Sequence, residues 1–260
     1  MTILKIGGNV LNKPTALADA LDYFATLEES AILVHGGGRK ASEVITEMGR
    51  EPKMTDGRRI TDAPTLEIVT MVYAGLINKQ VVADLQARGC NAIGLSGADG
   101  NAILAEKRPV KTIDYGFAGD VLGANAALLK TLLAAGLRPV LCPITHDGRG
   151  QLLNTNADTI ANETAIALAR AGESVSLRYC FEFPGVMRDV KDMDSRIPTL
   201  TPETYAAYKA DGTIAGGMIP KLDNAFAAVA AGVGEVVIGD LAALSAGNGT
   251  RCVKIGLPSI

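Results

Sequence analysis

The feature that most constrains this chain is an alternation along its whole length: short apolar runs take turns with longer stretches whose apolar residues recur at helical spacing. Strands separated by helix-length connections pair most readily in parallel, and the helices then cover both faces of the sheet. The fold class read from this pattern is α/β, with a mostly parallel central sheet. Strands are predicted at residues 3–6 and 31–35, each followed by a helix, at 15–26 and 38–48. A long helix is predicted over 63–88, then a strand at 91–95 and the turn Ser96-Gly97-Ala98-Asp99-Gly100. Residues 102–105 and 110–121 read as short strands and hairpins projecting from the main sheet, placed to cover a substrate. Regular order resumes with a helix at 124–135, a strand at 139–144, a helix at 157–171 and a strand at 174–179. Residues 183–217 are rich in Gly, Pro and Asp, with a helix opened by Thr201-Pro202-Glu203. A helix at 218–231 and strands at 235–238 and 252–255 complete the series.

Composition narrows the partner. With 48% apolar residues in 260, the chain buries a core without needing a metal or disulfide. A net charge of -3 with no basic run gives no footprint for nucleic acid or an anionic membrane, which leaves a small molecule as the expected ligand. Cys90, Cys142, Cys180 and Cys252 are far apart and form no CxxC, so they are read as buried thiols. The N-terminus enters a strand directly, and no stretch approaches the roughly 18 apolar residues of a membrane span, so a soluble cytoplasmic protein is expected.

The chemistry is concentrated at strand ends. Gly7-Gly8 follows the first predicted strand and Gly36-Gly37-Gly38 the second, at the carboxyl ends where ligands of parallel sheets bind. Glycine lets backbone N–H groups approach an anion, and a following helix adds its positive end. There is no GxxxxGK[ST], no dinucleotide fingerprint and no protein-kinase motif set. Lys5 lies within an apolar strand, where an ammonium needs an anionic partner; at the strand end it suits a migrating phosphoryl group. Lys221 follows the glycine-rich approach Gly216-Gly217-Met218-Ile219-Pro220. Asn154 and Asp158 in Asn154-Thr155-Asn156-Ala157-Asp158 are one helical turn apart, and the carboxylate is placed to orient two lysines. Arg58-Arg59, after Asp56-Gly57, offers a fork for a substrate carboxylate. His35 and His146 are separate and are read as structural. No protein metal site is predicted; Asp99, Asp120, Asp158 and Glu182 are too scattered, and Mg²⁺ is expected to arrive with nucleotide phosphates.

Leu4-Lys5-Ile6-Gly7-Gly8, Val34-His35-Gly36-Gly37-Gly38, Gly57-Arg58-Arg59-Ile60-Thr61, Gly75-Leu76-Ile77-Asn78-Lys79, Gly94 to Gly100, Asn154 to Asp158 and Gly217-Met218-Ile219-Pro220-Lys221 follow the order seen in N-acetylglutamate kinases. KxGG with HGGG resembles the wider amino-acid kinase family; NxNAD, GGMIxK and GxRxT narrow the resemblance. It implies an open three-layer αβα sandwich, one continuous fold in which residues 1–175 bind the acyl-amino acid and dimerise and 176–260 bind ATP. It further implies that Lys5 and Lys221 stabilise the transferring phosphoryl group, that Asp158 orients both, and that Gly8 and Gly37 donate backbone hydrogen bonds to it. Gly37, Gly38, Arg59 and Asn154 would hold the N-acyl-L-glutamate, acetyl or succinyl, whose γ-carboxylate attacks ATP. Glu182, in place of the family's aspartate, and Gly185 would contact the nucleotide; they fall in Cys180-Phe181-Glu182-Phe183-Pro184-Gly185, which departs from the family pattern before the nucleotide site. The chain begins at the first strand, without the preceding helix that arginine-inhibited members carry, which implies an arginine-insensitive homodimer. Two other readings stay open on sequence: a kinase of the same fold acting on aspartate, carbamate, a phosphonate or UMP, and a metabolite-binding protein without turnover.

Overall fold

The computed structural model describes residues 1–254 except residue 56, with residue 9 described by its backbone only. Asp56 and the predicted end of the last strand at Ile255 lie outside the described residues. The main sheet has eight strands in the order Thr199–Leu200, Thr250–Cys252, Glu235–Gly239, Ser176–Cys180, Thr2–Ile6, Ala31–His35, Arg138–Leu141, Ala92–Leu95. Among these, Glu235–Gly239 and Thr250–Cys252 run antiparallel, and the other pairings are parallel. The first strand is central and every one of its residues is buried, as expected where helices cover both faces. Apolar side chains pack on the two faces as separate clusters, one around Ile3, Ile32 and Tyr179, the other around Leu4, Leu33 and Phe24.

A second sheet of four strands, Leu152–Asn154, Ile144–His146, Ile103–Lys107 and Gly119–Ala124, stands over the carboxyl end of the first. The projecting strands expected here are therefore present, with corrections. The predicted strand at 139–144 is two strands in two sheets, broken at Pro143, which lacks an N–H for the ladder. Of residues 110–121, strand begins only at Gly119; the preceding residues form a loop. That loop is stitched across the site: Thr61 N–H donates to Tyr115 O at 3.0 Å, Phe117 N–H to Thr61 O at 2.7 Å, and Asn154 N–H to Phe117 O at 2.9 Å. The helix expected from 124 starts at Ala126, because Asn125 caps it, accepting from Leu128 N–H at 3.1 Å.

The long helix expected at 63–88 runs Ala63–Thr70, Met71–Ile77 and Asn78–Gln86, and its middle segment is π-helical. Such wide turns are uncommon inside α-helices and gather at functional sites. Contrary to the expectation from sequence, the 24-residue helix Ala63–Gln86 is long and apolar enough to cross a membrane by length and composition. Its apolar content has a local cause: Leu66, Ile68, Val69, Val72, Val81 and Leu85 pack into the core, and Met71 and Leu76 add an exposed apolar face.

Candidate active site

Lys5 is the one charged residue on a strand that is buried throughout, and its ammonium pairs with Asp158 Oδ1 at 2.6 Å. Asp158 occupies the first turn of the helix Ala157–Arg170. Asn156 caps that helix, its Oδ1 accepting from Asp158 N–H at 2.7 Å and Thr159 N–H at 3.3 Å, which fixes the carboxylate at the positive end of the helix. Lys221, in the first turn of Met218–Ala230, donates to Asp158 Oδ2 at 3.4 Å. Two cations remote in sequence thus meet on one carboxylate. Burial pushes the Asp158 carboxyl upward, but the charges of Lys5 and Lys221 and their hydrogen bonds outweigh it and hold the group below its ordinary value. Burial pushes Lys221 down, and Asp158 counters in part. The rings of Tyr179 and Phe181 lie 5.2 and 5.6 Å from Lys221 Nζ, within cation–π range.

The first two strands end in the glycine turns, which are tied together by Gly36 N–H donating to Ile6 O at 3.1 Å. Gly8, Gly36, Gly37 and Gly38 line, with Lys5 and Asp158, a cavity of ≈ 210 Å³. Gly37 has φ of +151°, and a Cβ there would stand 2.6 Å from Ile77 Cδ1 and 2.9 Å from Tyr73 Cδ1. The π-helical segment supplies both of those side chains, so the close approach of helix and turn requires glycine.

Arg59 enters the same cavity from the hairpin Met54–Thr55 and Arg58–Arg59. It is buried, and its Nη2 donates to Gly38 O and Ser42 Oγ, both at 2.8 Å. Its Nε and Nη1 are buried without a partner at hydrogen-bonding geometry, although the Tyr73 hydroxyl feels its charge, and no carboxylate pairs with it among the described residues. An uncompensated buried guanidinium is costly, and adjacent N–H donors match the two oxygens of a carboxylate. Asn154, at the end of its strand, donates from Nδ2 to Thr61 Oγ1 at 2.9 Å and also lines the cavity. The structure therefore brings together Lys5, Gly8, Gly37, Gly38, Arg59, Asn154 and Asp158, with Lys221 joined through Asp158.

Glu182 and Gly185 do not line that cavity. Glu182 follows the strand Ser176–Cys180 and acts electrostatically on Lys221, favouring its charged form. Gly185 is packed: a Cβ would lie 2.4 Å from Thr250 Oγ1, which accepts from Val186 N–H at 2.8 Å. Asp99 is engaged with Ser96 and Asp120 with Arg108, and no group of three or more His, Cys, Asp or Glu suited to a metal occurs among the described residues. All four cysteines are buried and free, and burial pushes Cys142 and Cys252 up to about 12. Sequence reasoning missed Tyr73 and Thr155 in the cavity wall and the aromatic pair beside Lys221, whereas Ala118 and Gly119 belong to the stretch 110–121 that was expected to cover a substrate. Tyr73 was hidden because the π-helical turn shifts its phase; Gly75 inside an apolar helix was the available signal.

Lysines bridged by a carboxylate, backed by two glycine turns at the carboxyl ends of parallel strands, define the class: an α/β phosphotransferase that lacks a P-loop. Residues 1–240 match the amino acid kinase family, and the chain belongs to that family. It is 54% identical to the acetylglutamate kinase of Phocaeicola vulgatus over 98% of each chain. Among solved structures it is similar to smu.665 from Streptococcus mutans UA159, with 25% identity, a TM-score of 0.79 and 98% of each chain covered. It also shares its fold with carbamate kinase from Giardia lamblia bound to AMP-PNP, at 16% identity, a TM-score of 0.68 and 98% coverage of each chain.

Proposed function

We propose that this kinase transfers the γ-phosphoryl group of ATP to the side-chain carboxylate of N-acetyl-L-glutamate, an early step of arginine biosynthesis. The observation that carries this reading is that one cavity holds Lys5 and Asp158, which gathers Lys221 as well, together with a buried Arg59 whose Nε and Nη1 lack hydrogen-bond partners. Arg59, with Asn154 and the Gly38 backbone, holds the acyl-amino acid by its carboxylate. The γ-carboxylate oxygen attacks the γ-phosphorus in line, the bond to the β-γ bridging oxygen breaks, and ADP leaves with that electron pair. Lys5 and Lys221 meet the charge on the migrating group, Gly8 and Gly37 N–H groups donate to its oxygens, and Asp158 keeps both ammonium groups aimed at it. Catalysis is then positioning and electrostatics, with no covalent enzyme intermediate.

Residues 1–175 serve the acyl-amino acid and 176–260 the nucleotide, with Glu182 and Gly185 on the nucleotide side. Mg²⁺ travels on the ATP phosphates; Asp158, the carboxylate that bridges the lysines, is already engaged with both. The exposed Met71 and Leu76 on the outer face of the long helix support a homodimer, and a cytoplasmic setting fits a biosynthetic kinase. A second reading of the acyl group is favoured by Arg58, which lines the cavity without an ion pair among the described residues and whose guanidinium is pushed down by burial and by Arg108. A succinyl group would place a carboxylate there. Coupled ADP-release assays with N-acetyl- and N-succinyl-L-glutamate test both readings, with aspartate, carbamate and UMP alongside. Turnover confined to the last three would overturn the assignment.

A further inference from the structure

Directly beneath the second glycine turn lies a polar cluster that does not line the cavity. His35 is 0% and Asn78 1% exposed, and Lys79 reaches into the same place from the surface. Buried polar groups of this kind persist when every donor meets an acceptor, and here the matching is directional. Val140 O accepts only, and it lies 2.9 Å from Asn78 Nδ2; the Lys79 ammonium donates only, and it lies 3.1 Å from Asn78 Oδ1. The amide is thereby oriented, and its second N–H points at His35 Nε2 at 3.2 Å. Nε2 must accept. The ring proton therefore sits on Nδ1, which donates to Gly36 O at 2.7 Å.

We propose that Asn78 is a positioning residue for phosphoryl transfer: through His35 it locks the Gly36–Gly37 peptide so that the Gly37 N–H faces the cavity. A peptide unit is planar and trans, so its N–H points opposite to its carbonyl. With the Gly36 carbonyl held by His35, which is outside the cavity wall, the Gly37 N–H is turned to the side where Gly37 lines it. No backbone carbonyl accepts from that N–H among the described residues. The π-helical segment ends at Ile77, against Gly37, and the next residue is Asn78, so one stretch of helix both presses on the turn and sets its hydrogen bonds. Burial keeps His35 neutral, with its pKa lowered to about 4, so protonation does not erase the tautomer at neutral pH. The proposal rests on the reading that Gly37 N–H receives a phosphoryl oxygen.

The chain has two histidines, so nitrogen NMR of histidine-labelled protein resolves the tautomer directly. His35 is expected as the neutral Nδ1–H form, the less common one in water. Asn78→Leu is expected to release that tautomer and to lower kcat on the order of 10- to 100-fold, with KM for both substrates held within about threefold, since a misplaced donor is felt mainly in the transition state. A wild-type His35 protonated on Nε2 overturns the proposal. So does an Asn78→Leu enzyme whose tautomer has changed while kcat has not. Should Asn78→Leu fail to fold, Asn78→Ser and the wild-type spectrum decide by the same criteria. A wild-type enzyme with the Nδ1–H tautomer but no turnover of N-acylglutamates would instead overturn the functional reading and leave the hydrogen-bond chain standing.

Discussion

Replacing Asp158 by Asn keeps the shape of the side chain and deletes the charge on which Lys5 and Lys221 converge. At an effective dielectric of about 20, ion pairs at 2.6 and 3.4 Å carry gross attractions of about 6 and about 5 kcal/mol. Most of this offsets the cost of taking the charges out of water. What the variant loses is dominated by two largely buried ammonium groups left facing each other, and breaking such buried pairs typically costs about 3–5 kcal/mol. For a chain of this size that is a fall in Tm of roughly 6–20 °C. The native carboxyl is held below its ordinary value, so its stabilisation is fully present above the unfolded value of 3.8 and is lost as pH falls through the depressed native value. The deficit of Asp158→Asn should accordingly be full at neutral pH and shrink in acid. Added pyrophosphate should restore the variant more than the parent, because an anion can replace the missing charge. Kinetically, kcat should drop on the order of 10- to 100-fold while ATP binds no more weakly, since the lysines remain but are no longer aimed. Calorimetry over a pH series and steady-state assays check this. A variant melting within about 2 °C of the parent, with parental kcat, would refute the claim that Asp158 organises the lysines.

Lys5→Ala and Lys221→Ala should each lower kcat by on the order of 10²- to 10³-fold with much smaller changes in KM, because the charge they meet grows in the transition state; initial-rate kinetics decide. Arg59→Ala should raise KM for N-acetyl-L-glutamate by on the order of 10–100-fold and leave KM for ATP nearly unchanged, consistent with loss of about 1.5–3 kcal/mol of charge-assisted hydrogen bonding. Gly37→Ala forces a Cβ to 2.6 Å from Ile77 Cδ1 and should cost about 1–3 kcal/mol in denaturant unfolding as well as activity. His35, lowered from 6.5 to about 4 by burial, is neutral when native and protonated when unfolded between those values. Native stability should therefore decline as pH falls from 6.5 to 4, by about 3 kcal/mol in all, and His35→Asn should remove that component of the pH dependence.

Local chemistry made much of the architecture legible. Strand residues buried on both faces read as continuous apolar runs, so Ala31–His35 and the helix over Ala157–Arg170 were readable from pattern and cap alone. Lys5 was conspicuous because an ammonium contradicts its apolar strand. The misplaced boundaries have equally local causes: Pro143 splits a strand that hydropathy joins, and residues 110–118 have strand-like composition but spend their hydrogen bonds on Thr61 and Asn154.

What the sequence determined by itself was the layering of the sheet and the glycine turns that follow its first two strands, because periodicity and backbone freedom are properties of neighbouring residues. Which charges meet is encoded in no local pattern: the family resemblance implied that Asp158 orients Lys5 and Lys221, and the tertiary structure is what brings them together. Asp158 between Lys5 and Lys221, the unsatisfied face of Arg59, Tyr73 against Gly37, and the run from Asn78 through His35 to the Gly36 carbonyl join residues from separate elements. Distance and direction across a packed sheet follow from which strand lies beside which, and no local pattern encodes that order.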